Sequence, residues 1–116
     1  MSHYTVDRKT WLRGEGSHKS YLLRACDGKM CCLGHVALQC GFTSEEITAV
    51  DCPGALRSPA AMEKWPAWFF NSIGNQANEM TDAMATNDEQ DLPEGERERR
   101  IAEIFAEHGD VLEFVG

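Results

Sequence analysis

Cys31, Cys32, His35 and Cys40 are the residues of this chain with the widest chemical reach. On a helix, Cys31 and His35 stand four positions apart and Cys32 and His35 three apart, so either pair shares a face. Such a pair supplies two zinc ligands, with Cys40, Cys26 or Cys52 to complete the set. Structural zinc sites usually carry two cysteine knuckles, each with about two to four intervening residues, and a pair of such knuckles is absent. Cys31 or Cys32 at a helix N-terminus would also suit a thiolate nucleophile, whose pKa such a position lowers. That chemistry needs a positioned base, for which His18 and His108 are candidates, and a third group to orient it. The competing reading is plain: free cysteine is among the most buried residue types, and His35 can sit hydrogen-bonded at a helix edge.

Two other constellations carry chemistry. Trp65, Trp68, Phe69 and Phe70 precede Asn71, Asn75 and Gln76. Stacking rings beside amides can hold a base or a nucleotide signal, with Trp65, Trp68, Asn71 and Asn75 as the ligand-binding set. Aromatic residues in a small protein more often build the core. Glu94, Glu96, Glu98, Glu103 and Glu107 lie along one helical pattern. Spaced so, they can imitate a row of phosphates and dock on a basic partner, although a charge run commonly serves only solubility.

These residues need elements to position them. Asp27-Gly28 is a tight-turn dipeptide. From Met30 to Cys40 the chain is nearly all apolar or small, too long for an ordinary strand and too short to cross a bilayer. That segment predicts a central buried helix, stopped by Gly41. Gly34 inside it costs about 1 kcal/mol relative to alanine, which implies a packing reason. Thr43-Ser44-Glu45-Glu46 is a capping box opening a short helix to about Val50. Residues 52–66 hold three of the four prolines and read as loop. Asn75 to Ala85 and Glu94 to His108 have helical periodicity, the latter capped by Asp91 and stopped by Gly109. Residues 1–8 read as a frayed start, Gly14-x-Gly16 as a turn and Ser20–Cys26 as a short strand. Val111–Val115 is expected to pair beside Tyr21–Ala25. The expectation is a single α+β domain over residues 1–116, helix-dominated, with a short N-terminal hairpin or small sheet packed on the central helix.

At 116 residues, 42% of them hydrophobic, the chain suffices for one core. It shows no basic N-region followed by an apolar segment and no apolar run of spanning length, so a cytoplasmic protein without membrane association is expected. Five cysteines without a secretion signal point to free thiols. The net charge of −8 is uneven: residues 1–29 carry +3, residues 30–78 carry −2 and residues 79–116 carry −9. Direct nucleic-acid binding is not expected, because phosphate contacts need clustered lysine and arginine.

Trp11-Leu12-x-Gly14-x-Gly16, Asp27-Gly28-x-Met30-Cys31-Cys32-Leu33-Gly34, Asn87-Asp88 and Ile101-Ala102-x-Ile104 together resemble a family of small proteins encoded by tailed phages and prophages. Those proteins carry a strand, Asp-Gly, an aromatic residue and Cys-Cys-Leu-Gly, then a later Asn-Asp before a short helix. The resemblance covers most of the chain, and Cys-Cys-Leu-Gly is its most specific part. This sequence departs from it at Met30, where the family often has an aromatic residue, and in a longer acidic insert at residues 89–100. The resemblance implies a phage accessory product, a class that includes anti-CRISPR and other anti-defence inhibitors. The leading expectation is therefore a non-enzymatic inhibitor without cofactor that binds a basic surface of a bacterial host protein, in the cytoplasm of the infected cell. A nucleotide-signal binder and a cysteine enzyme or zinc module on Cys31, Cys32, His35 and Cys40 remain the alternatives.

Overall fold

The alternation in His3-Tyr4-Thr5-Val6-Asp7 buries Tyr4 and Val6 on one face of a strand, as period-two patterning requires. In the computed structural model, which describes residues 2–14 and 21–116, this segment is β1 (His3–Asp7). Its partner is β2 (Val111–Val115), in parallel, from His3 opposite Val111 to Asp7 opposite Val115. The start of the chain is thus a strand rather than a frayed end. The terminal strand pairs with β1, not with residues 21–25. That segment makes only an isolated bridge, Leu23 with Thr48, while Leu22 is buried and donates its backbone N–H to the Val50 carbonyl at 2.6 Å. Ser20, the first residue of the expected strand, lies outside the described residues, as does Gly16 of the expected turn.

Among the described residues five helices run between the two strands: α1 (Cys32–Gln39), α2 (Ser44–Ile47), α3 (Pro59–Lys64), α4 (Asn78–Asp88) and α5 (Glu94–Glu107). The architecture is α+β. Asp27-Gly28 makes its turn, with Gly28 at φ +74° and the Arg24 N–H on the Lys29 carbonyl at 2.7 Å. The capping box forms in full, Glu46 N–H to Thr43 Oγ1 at 3.2 Å and Thr43 N–H to Glu46 Oε1 at 2.8 Å. Helix α2 stops at Ile47, short of Val50: Thr48 is already extended at ψ 129°, and Ala49 takes a left-handed φ of +62°. The proline-rich stretch is not all loop. Ser58 caps α3 by accepting from the Ala61 N–H at 3.2 Å, and Pro59 occupies the first turn, where its missing N–H costs nothing. Pro93, not Asp91, occupies the capping position of α5.

Leu33, Val36 and Ala37 of α1 form the middle of one core with Ile47, Met80, Ala83, Ile101 and Phe105. Trp65 and Phe69 join it, Trp65 packing on Phe42 at 4.6 Å between ring centroids and on Phe69 at 5.4 Å. Ile73, only a few residues beyond these aromatics, is 79% exposed in the following loop. Among the described residues no helix is long and apolar enough to cross a membrane.

Candidate functional site

The thiols of Cys31 and Cys32 lie inside the core, Cys40 and Cys52 are half-buried, and Cys26 is exposed. Cys31 precedes α1 and Cys32 begins it, both buried. Burial pushes the Cys32 thiol well above its ordinary pKa, and Cys31 and Asp88 add to the rise. Burial also raises Cys40, whose sulfur lies 3.9 Å from the Tyr4 hydroxyl. A nucleophilic cysteine needs the opposite shift. The helix N-terminus that would lower the pKa is already engaged: the Cys32 N–H donates to Asn87 Oδ1 at 3.1 Å. Of the candidate bases, His18 lies outside the described residues, and His108 stacks on Trp68 with ring centroids 4.1 Å apart. Among the described residues no three His, Cys, Asp or Glu side chains converge as metal ligands would, so Cys31, His35 and Cys40 are not brought together.

His35 is buried, and among the described residues its Nε2 has no hydrogen-bond partner. Burial lowers its pKa, partly offset by the Thr10 backbone and the Asp7 charge. Between the depressed folded value and an unfolded value of about 6.5, the unfolded chain binds a proton that the folded chain refuses. The resulting stability is whole above that unfolded value and is lost as pH falls from there through the folded value. Urea unfolding should therefore give a lower midpoint at pH 5.5 than at pH 7.5, and His35→Gln should flatten that difference. An identical pH dependence in the variant would remove His35 as the cause.

The centre of polar organisation is Asn87, at the end of α4 and fully buried. Its Oδ1 accepts from Trp11 Nε1 at 2.7 Å as well as from Cys32. Its Nδ2 donates to the Leu12 carbonyl at 2.9 Å and to Asp88 Oδ1 at 3.0 Å. Two accepted and two donated bonds exhaust the carboxamide. Its backbone carbonyl takes the Gly14 N–H and Arg97 Nη1, each at 2.9 Å. Arg97, only 2% exposed, also donates to the Thr86 carbonyl at 2.9 Å, the Leu92 carbonyl at 3.0 Å and Glu94 at 3.1 Å. A cation thereby satisfies the last-turn carbonyls of α4, where the helix dipole favours it. The cluster ties four stretches of chain together, and its bonding capacity is spent on the protein itself. In the sequence Asn87-Asp88 stands out only as one block of the phage-protein resemblance. Arg97 had a signal: it lies four and eight positions before Ile101 and Phe105, on the same inward stripe.

The ligand-binding set is dispersed in its contacts. Trp65 is buried and donates Nε1 to the Leu56 carbonyl at 3.1 Å. Trp68 donates to Asp110 Oδ2 at 2.8 Å and packs edge-on against Phe105 at 5.0 Å. Asn71 Oδ1 accepts from the backbone N–H groups of Ile73 and Asn75 at 3.1 and 3.0 Å, building the loop. Asn75 Oδ1 accepts from Arg57 at 3.3 Å.

The acidic row of α5 is partly turned inward. Glu98 receives a bidentate pair from Arg8, both contacts 2.8 Å. Glu94 bonds Arg13 and Arg97; burial alone would raise its pKa, but the two guanidinium groups hold it low. Arg100 and Arg99 likewise lower Glu96, Arg100 at 3.0 Å. Glu103 meets Arg99 at 2.5 Å but keeps more than half its side chain exposed. Glu107 is exposed and has no ion pair among the described residues. Glu94 and Glu98 thus fasten α5 to the N-terminal segment, a role that spacing along one helix does not reveal.

Comparison with protein families, with curated proteins and with solved structures finds no match to the chain.

Proposed function

We propose that the protein is a phage-encoded accessory product that works without catalysis, by docking on a basic surface of a bacterial host protein in the manner of anti-defence inhibitors. The observation that carries this reading is the concentration of acid in residues 79–116, at −9, of which Glu103 and Glu107 stand on the outer side of α5. The Cys-Cys-Leu-Gly and Asn-Asp blocks support the phage origin. The raised pKa and full burial of Cys32 weigh against that thiol as a nucleophile. The docking set is narrower than five glutamates: Glu103 and Glu107 are the exposed ones offered to a partner, while Glu94 and Glu98 hold Arg13 and Arg8 and Glu96 holds Arg99 and Arg100.

The test is capture of the tagged protein's partner from its bacterial host, repeated with Glu103→Lys combined with Glu107→Lys. Reversing two exposed charges at a complementary interface should weaken binding at least about tenfold, and added salt should weaken the wild type. Capture that is indifferent to both changes would exclude the acidic surface as the binding face.

A further inference from the structure

The two edges of the β1–β2 sheet are treated differently. The Val111 N–H donates to the Ser2 carbonyl at 2.8 Å, which fixes the parallel register and directs the peptide groups of Val111, Glu113 and Val115 toward β1. In β1, residues 3, 5 and 7 then face away from β2. That outer edge is closed by a side chain: Thr5 N–H donates to Gln39 Oε1 at 2.8 Å, and Gln39 Nε2 donates to the Thr5 carbonyl at 2.7 Å. A carboxamide stands where a neighbouring strand would. The same register turns the peptide groups of Leu112 and Phe114 away from β1, and among the described residues none bonds them.

The exposed face of the sheet is equally bare. Parallel sheets normally have both faces covered. Here the side chains of His3 and Glu113 are more than half exposed and meet each other at 2.6 Å. Val111 and Val115 flank Glu113 and are among the few large apolar side chains left exposed, at 38% and 39%. An edge with free peptide groups, an apolar residue at either end and a carboxylate between them describes its own complement.

We infer that the outer edge of β2 receives an extended segment of a partner protein, added as a third strand, with a lysine or arginine opposite Glu113 and β-branched apolar residues opposite Val111 and Val115. A second copy of this chain fits less well. Two-fold antiparallel pairing centred on Glu113 places two carboxylates directly opposite each other, and the pairings centred on Leu112 or Phe114 set Glu113 opposite a valine instead of a cation. The site uses neither Glu103 nor Glu107, so reversing those two charges removes none of its residues, and either reading can fail alone.

Amide hydrogen exchange of the full chain, followed residue by residue by NMR, tests it. The probe is a capped peptide, Thr-Val-Thr-Lys-Thr-Val-Thr, with a control in which glutamate replaces the lysine. In the free protein the Leu112 and Phe114 amides should exchange quickly while those of Val111, Glu113 and Val115 are protected. Saturating lysine peptide should slow Leu112 and Phe114 by roughly tenfold or more. The glutamate peptide should not, and Glu113→Lys should reverse the preference. Protection of Leu112 and Phe114 in the dilute free chain would overturn the inference, because the edge would already be covered. So would protection that grows with protein concentration alone, which would assign the edge to a second copy. Equal effects of the two peptides, or none from either, would also overturn it.

Discussion

Gly34→Ala is expected to destabilise the protein by about 3 kcal/mol or more, enough to consume a large part of a small domain's usual stability. Alanine is intrinsically the better helix former by about 1 kcal/mol, so propensity alone predicts the opposite sign. The packing decides. A Cβ at position 34 would stand 1.8 Å from the Leu22 carbonyl oxygen, 2.7 Å from its carbon and 2.9 Å from Met30 Cβ. The first two are backbone atoms, and that backbone cannot easily retreat. Leu22 N–H is bonded to the Val50 carbonyl at 2.6 Å, and the neighbouring Tyr21 carbonyl holds the Cys31 N–H at 3.0 Å. Relief of the clash must therefore separate α1 from the 21–23 segment or unfold the first turn of the helix. Gly95 is the internal control. It is also helical, on α5, and nothing lies within 4 Å of a Cβ there. Alanine at 95 should be neutral or stabilising. The urea midpoint should fall for Gly34→Ala and hold or rise for Gly95→Ala, and a stable Gly34→Ala protein would mean that α1 does not approach Leu22 as described.

Asn87→Ala is expected to cost on the order of 4 kcal/mol, because it strands several buried groups at once. Trp11 Nε1, the Cys32 N–H and the Leu12 carbonyl all lose their partner in a place that water does not reach. Each unsatisfied buried group costs about 1–3 kcal/mol, considerably more than one satisfied bond contributes. Trp11→Phe in an Asn87→Ala background removes one of the stranded donors, so the double variant should be less damaged than the two single losses added together. A coupling of about 1 kcal/mol is expected for directly bonded neighbours. Strict additivity, or a cost for Asn87→Ala below about 1 kcal/mol, would show that the carboxamide is not the tie between α4 and the N-terminal segment. The same network explains why the Cys31-Cys32 pair is poorly placed for chemistry. The helix start that would activate a thiol is saturated by Asn87, and Cys32 is enclosed.

The amino-acid sequence by itself determined whatever is decided within a turn or two of chain. The capping box at Thr43–Glu46, the turn at Asp27-Gly28 and the ends of α1 and α5 at Gly41 and Gly109 each rest on local bonds and positive φ values. The inward stripe of Ile101 and Phe105 follows from helical period. Gly34 announced a close approach but not its neighbour. Only the tertiary structure decided the rest. It paired the two ends of the chain into one sheet, placed Asn87 against Trp11 and Leu12 across more than seventy residues, and gave Glu94 and Glu98 to Arg13 and Arg8. Five glutamates on one helix look alike in sequence. Which of them faces solvent depends on cations brought from the other end of the chain, and no local rule contains that distance.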